Sequence, residues 1–111
     1  MTKARIYGIK NCDSIRKTKR FLDAHQIAYE FIDIRDNPLD VKQVECFIAK
    51  LGLDQLINRQ SAAYRSLTSE QKQQLDAALI VQLPTLIKRP LVIHQRQCFV
   101  GYHETLLRSI G

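Results

Sequence analysis

The stretch Tyr7-Gly8-Ile9-Lys10-Asn11-Cys12-Asp13-Ser14-Ile15-Arg16 reads as the end of a strand, a short loop and the start of a helix. It puts a cysteine where loop becomes helix. The amide N–H groups of a first helical turn have no intrahelical partner and carry partial positive charge. A thiolate placed there is stabilised, and its sulfur becomes a better nucleophile at neutral pH. The same amides can hold a bound anion. Lys10 and Arg16 flank the cysteine and add positive field, and Ser14 either caps the helix or hydrogen-bonds the thiolate. The bland alternative is a free cysteine used as a small buried hydrophobe. The helix-start position argues for a reactive Cys12 instead.

Working outward, Lys3 to Ile9 is a short β-rich run, and Ser14 to His25 follows as a helix with Ile15, Thr18, Phe21, Leu22 and His25 on one face. Arg16, Lys17, Lys19 and Arg20 lie on the other, solvated side. Ala28 to Ile34 is a second strand, and a strand, helix and strand with a short return predict a right-handed crossover and a parallel pair. Asp36-Asn37-Pro38 reads as a helix start, followed by Val41, Val44, Ile48 and Leu51 on one face of a helix ending near Gly52. Cys46 falls among Val44, Phe47 and Ile48 and is expected in the core.

Leu53, Leu56 and Ile57 suggest a short helix, Asn58 to Ser61 a loop, and Tyr64 and Leu67 a further turn. Thr68-Ser69-Glu70-Gln71 fits a capping box, and its helix is expected to carry Leu75, Ala78 and Leu79 and to stop before Pro84. Thr85 to Lys88 reads as a third strand, interrupted by Arg89-Pro90. Leu91 to His94 resumes as a fourth, and a Gln95-Arg96 turn returns the chain through Gln97 to Val100, where Cys98 is expected to be structural. Tyr102 to Ile110 closes as a helix, with Leu106, Leu107 and Ile110 apolar. His25, His94 and His103 lack ligand spacing, so no metal site is expected. The order is βαβ, a helical insertion at about residues 38–82, then ββα. That is an α/β, thioredoxin-like domain with a four-stranded mixed sheet and helices on both faces.

At 111 residues the chain is expected to form one domain. No apolar run approaches membrane-spanning length, and no signal-peptide core opens the chain, so a cytoplasmic protein without membrane partners is expected. The three cysteines are far apart and make neither a disulfide framework nor a zinc pattern. In a reducing compartment they are thiols. The net charge of +6 suits a small anion or an acidic partner. Basic residues are spread along the chain without a long basic tail, which argues against nucleic acid.

The Tyr7 to Asp13 opening, the later Ile87-Lys88-Arg89-Pro90 and the helices between them resemble the arsenate reductase (ArsC) and Spx family of thioredoxin-like proteins. The resemblance spans nearly the whole chain and is nearest to the YffB-like branch. It implies that Cys12 is the nucleophile. It also implies that Arg59, within Leu56-Ile57-Asn58-Arg59, and Arg89 are anion-binding arginines, and that Pro90 follows a cis peptide bond. Arg recognises oxyanions as a bidentate fork. Lys10 and Lys88 widen the positive field. The family's third arginine has no match: Gly101 stands nearest its place in Phe99-Val100-Gly101-Tyr102, and Arg96 belongs to the hairpin turn. Asp13 also stands directly after the cysteine, where arsenate reductases have a small residue, and a carboxylate there repels an oxyanion.

A dithiol motif would place its second cysteine at Ile15, which cannot resolve a disulfide. Cys12 is therefore expected to act alone and to need an external thiol for release. Glutathione is that co-substrate, with no bound cofactor, and its carboxylates suit a basic cleft. The expected activity is a glutathione-dependent thiol reductase acting on a thiol or disulfide substrate. One alternative is arsenate reduction, a small oxyanion handled with glutathione and glutaredoxin. A second is an Spx-like redox regulator that binds RNA polymerase, although that branch commonly carries a cysteine pair that Ile15 breaks.

Overall fold

The computed structural model describes residues 3–10 and 12–110, so Asn11 of the opening loop lies outside the described residues. Among the described residues the elements run β1 (Ala4–Gly8), α1 (Asp13–Ala24), β2 (Tyr29–Asp33), α2 (Val41–Leu51), α3 (Leu53–Leu56), α4 (Ala62–Arg65), α5 (Ser69–Gln73), α6 (Ala77–Gln82), a 3-10 turn (Pro84–Leu86), β3 (Leu91–His94), β4 (Gln97–Val100) and α7 (Glu104–Ser109). They divide into a sheet unit, Met1–Asn37 with Arg89–Gly111, and a helical unit, Pro38–Lys88.

The sheet unit is a four-stranded mixed sheet in the order β2-β1-β3-β4. β1 and β2 are parallel, with Ala4 opposite Tyr29 and Gly8 opposite Asp33. β3 runs antiparallel to β1, with Tyr7 opposite Leu91, and β4 runs antiparallel to β3. This is the thioredoxin-like arrangement. Its core joins Ala4 and Ile6 of β1, Phe21 and Leu22 of α1, Val92, Phe99, and Leu107 and Ile110 at the closing helix. Each Val, Leu, Ile or Phe side chain among them contributes about 1.5–3 kcal/mol on burial. α1 can lie this close because Gly8 has no side chain: a Cβ there would stand 2.8 Å from Ile15 Cγ1 and 3.4 Å from the Phe31 ring.

Several apolar assignments shift in the structure: Val41, at the start of α2, is 42% exposed, and Ala78 is exposed while Ala77 and Ile80 take the buried side of α6. His25 is exposed at the end of α1, where its backbone N–H bonds the Phe21 carbonyl at 3.1 Å. Leu106 is 38% exposed, because Leu107 and Ile110 take the inward side of α7. Cys46 is exposed rather than core, since the inward positions of α2 belong to Val44 and Phe47 and Cys46 points away from both.

In the helical unit α2 starts later than the Asp36-Asn37-Pro38 signal. Asp40 accepts the Gln43 N–H at 2.8 Å, and the Gln43 side chain accepts the Asp40 N–H at 3.0 Å. This capping box outcompetes Asp36-Asn37-Pro38, and the Asn37 N–H is already bonded to the Asp33 carbonyl. The segment from Thr68 makes two helices, not one. The Thr68 box opens α5, and Asp76 accepts the Leu79 N–H at 2.9 Å to cap α6 afresh. Thr85 to Lys88 is not a strand: Pro84–Leu86 forms a 3-10 turn, and Ile87 makes a single antiparallel bridge with Ile57. Two backbone bonds flank that bridge, Asn58 N–H to Leu86 and Lys88 N–H to Leu56, each 2.8 Å.

Candidate active site

The sheet unit carries a cavity of about 440 Å³ lined by Ile9, Lys10, Cys12, Arg35 and Arg89. It lies at the carboxyl end of the parallel β1–β2 pair, where open α/β sheets bind ligands. Strand pairing explains how the five residues meet. β1 delivers Ile9, Lys10 and Cys12, and β2 delivers Arg35 two residues after its end. β3 begins at Leu91, opposite Tyr7, so Arg89 arrives at the same edge from the other side. The Arg89-Pro90 peptide is cis.

Cys12 is the N-cap residue of α1, with an extended backbone (φ −89°, ψ 135°), and its carbonyl accepts the Arg16 N–H at 3.0 Å. Its thiol is half-buried. The N-cap position puts Cys12 at the positive end of a 12-residue helix, although its thiol makes no capping hydrogen bond. Ser14 is already inside the helix and half-buried, so the capping position is not its own. Ile15 is 1% exposed and packs at Gly8, as core rather than as a second reactive group.

The loop geometry rests on Asp33, the last residue of β2, which is 6% exposed. Its carboxylate accepts the Lys10 N–H at 3.0 Å and the Arg35 N–H at 2.8 Å. The Lys10 amide, aided by that of Arg35, holds the Asp33 carboxyl below the usual carboxylate range, against the opposing effect of desolvation. One buried carboxylate thus ties the chain entering Cys12 to the chain carrying Arg35.

The nominated cations differ in availability. Lys10 Nζ pairs with Asp36 at 2.9 Å, which raises its pKa above the ordinary lysine value. Arg16 is exposed and pairs with Asp13 at 3.2 Å, so part of its field is spent on the carboxylate next to Cys12. Arg59 belongs to the helical unit, where it pairs with Asp54 at 2.7 Å beside a smaller cavity of about 300 Å³ that Lys88 also lines. Among the described residues Arg35 and Arg89 have no acidic partner. Arg35 was not singled out from the sequence. The available signal was its place just beyond the carboxyl end of a strand expected to pair in parallel with the strand leading to Cys12. Among the described residues no cluster of His, Cys, Asp or Glu is arranged to hold a metal, and no helix is long and apolar enough to cross a membrane.

The pattern of the ArsC family matches residues 7–110. An uncharacterized protein of Haemophilus influenzae is 33% identical, over 89% of this chain and 90% of its own length. A global transcriptional regulator Spx of Listeria innocua is 30% identical, over 93% of this chain and 82% of its own. The solved structure of a YffB protein superposes with a TM-score of 0.88 at 30% identity, covering 97% of this chain and 98% of that one. The chain belongs to the ArsC family.

Proposed function

We propose that the protein is a glutathione-dependent thiol reductase in which Cys12 is the nucleophile. The observation that carries this reading is the cavity in which Cys12, at the start of α1, shares one space with Lys10, Arg35 and Arg89. A helix-start thiol with guanidinium groups around it suits attack on a sulfur that carries anionic substituents.

The Cys12 thiolate attacks the glutathione sulfur of a mixed disulfide. The substrate sulfur leaves as a thiolate and takes a proton from water, and Cys12 is left in a disulfide with glutathione. The thiolate of a second glutathione attacks the glutathione sulfur of that adduct. Glutathione disulfide departs, and the Cys12 thiolate is restored. In net terms the substrate sulfur is reduced and one free glutathione thiol is oxidised. The buried Ile15 supports the external thiol, because no neighbouring cysteine on α1 stands ready to resolve the adduct.

Arsenate reduction is a second reading, favoured by one feature. Arg35 gives the cavity a third cation besides Lys10 and Arg89, partly replacing the arginine that has no match near Gly101. NADPH consumption coupled through glutathione reductase tests both, with a glutathionylated thiol as substrate in one arm and with arsenate plus glutaredoxin in the other. The reductase reading predicts consumption with the disulfide that is lost in Cys12→Ser. Consumption that persists in Cys12→Ser overturns it, and consumption that needs arsenate selects the second reading.

A further inference from the structure

Arg35 enters the Cys12 cavity from the end of β2, and its position limits what the cavity accepts. Sheet order places β1 between β2 and β3, with the Lys10–Cys12 loop continuing from the middle strand. Neighbouring strands lie about 4.8 Å apart, so the ends of β2 and β3 are separated by about 10 Å with the sulfur-bearing loop between them. Arg35 follows β2 and Arg89 precedes β3. The two residues therefore enter the cavity from opposite sides of the strand that delivers Cys12.

Both are available for a ligand. Among the described residues neither has an acidic partner, whereas Lys10, Arg16 and Arg59 each pair with a neighbouring aspartate. The backbone of Arg35 is fixed, because its N–H is bound to the buried Asp33 carboxylate that also holds Lys10. A guanidinium on an anchored backbone loses less freedom on binding than one on a loose loop.

We infer that Arg35 and Arg89 form a split anion site, selecting a thiol or disulfide whose sulfur lies between two separate carboxylates. The inference rests on the proposed function for the role of Cys12 and specifies the substrate that Cys12 meets. Arg89 holds one carboxylate and Arg35 the other, and the sulfur falls to Cys12. A ligand with one anionic group engages one guanidinium and leaves the other to water.

The probe is S-methylglutathione, which carries two carboxylates and cannot exchange disulfides. The measurement is the concentration that halves alkylation of Cys12 by iodoacetamide, resolved by peptide mass so that Cys46 and Cys98 do not contribute. Its diethyl ester, which keeps the α-ammonium and has no carboxylate, is the comparison. In the native chain the dicarboxylate should protect Cys12 at a concentration about ten-fold or more below that of the ester, the scale of a charge-assisted hydrogen bond pair. Arg35→Leu should remove most of that preference, and Arg35→Lys, a point charge without the fork, should fall between. Arg96→Leu, which deletes a charge at the hairpin turn, is the control and should keep the preference.

Equal protection by acid and ester in the native chain overturns the inference. So does an Arg35→Leu preference matching that of Arg96→Leu. Because protection needs no turnover, the outcome separates from that of the proposed function. Selective protection without disulfide turnover keeps the split site and removes the reductase, and turnover without Arg35-dependent selectivity does the reverse.

Discussion

The sheet unit and the helical unit each present a basic cavity, and the two differ in what neutralises it. In the sheet unit Arg35 and Arg89 line one cavity with a half-buried thiol at a helix start, and the buried carboxylate of Asp33 is occupied by backbone N–H groups. In the helical unit the guanidinium of Arg59 is held by Asp54 at 2.7 Å, with both side chains largely in solvent. A residue type alone does not make an anion site. What decides is whether nearby carboxylates bind the cation or bind the backbone and leave the cation free. At the Cys12 cavity Asp33 holds the loop backbone and Asp36 pairs with Lys10, which leaves Arg35 and Arg89, whereas in the helical unit Asp54 pairs with Arg59 itself.

Substitutions can sharpen or break that contrast, and the largest effect is expected at Cys12, the proposed nucleophile. Cys12→Ser should bring glutathione-dependent turnover to background in the coupled assay, while Cys46→Ser should leave it intact. Next comes Gly8→Val, which forces a branched side chain into Ile15, itself too buried to swing aside. Overpacking of this kind costs about 1–3 kcal/mol, read as a lower midpoint in urea with the slope unchanged.

Asp33→Ala should cost about 2 kcal/mol, since it leaves two N–H groups without their acceptor. It should also slow Cys12 alkylation by anionic reagents, because Lys10 and Arg35 lose their common anchor. The sign of the pH effect follows from the lowered pKa of Asp33. Its stabilisation is complete above the unfolded carboxylate pKa of about 4 and is lost as pH falls through the lower folded value. Acid unfolding curves of native chain and Asp33→Asn should therefore converge below that range and diverge above it.

The smallest effect is expected in the helical unit. Asp54→Ala removes an exposed ion pair and should leave the urea midpoint nearly unchanged, with any difference shrinking at high salt. A loss as large as that of Asp33→Ala would erase the distinction between the two carboxylates.

Much of this was legible in the chain itself. The turn from Tyr7 to Arg16 exposes a strand end, a cysteine and a helix start in ten consecutive residues, and α1 begins within one residue of where the apolar spacing puts it. The parallel pair followed from the short return after α1. The errors arose where two local signals compete over a few residues. Asp36-Asn37-Pro38 and the Asp40–Gln43 box are both helix starts, and only the box satisfies two backbone groups reciprocally. Gln74 and Asp76 split what apolar spacing makes one helix. Cys46 sits among apolar neighbours in sequence and yet falls on the outer side of its helix.

The site was legible only where its residues adjoin the motif. Lys10 and Cys12 are neighbours in sequence, and Arg89 came from the family resemblance. Arg35 depends on strand order, which brings the ends of β2 and β1 to one edge, and on the Asp33 turn that fixes its backbone. Neither is a local property of the letters around it.

The most direct test of the account is site-resolved mass analysis of the native chain after brief exposure to limiting glutathione disulfide. Exposure alone favours Cys46, which is open to solvent, over the half-buried Cys12. The account predicts that the glutathione adduct forms first on Cys12, because under the proposed function the cations that share its cavity hold the anionic partner against that sulfur. An adduct that forms first on Cys46, with Cys12 unmodified, would contradict it.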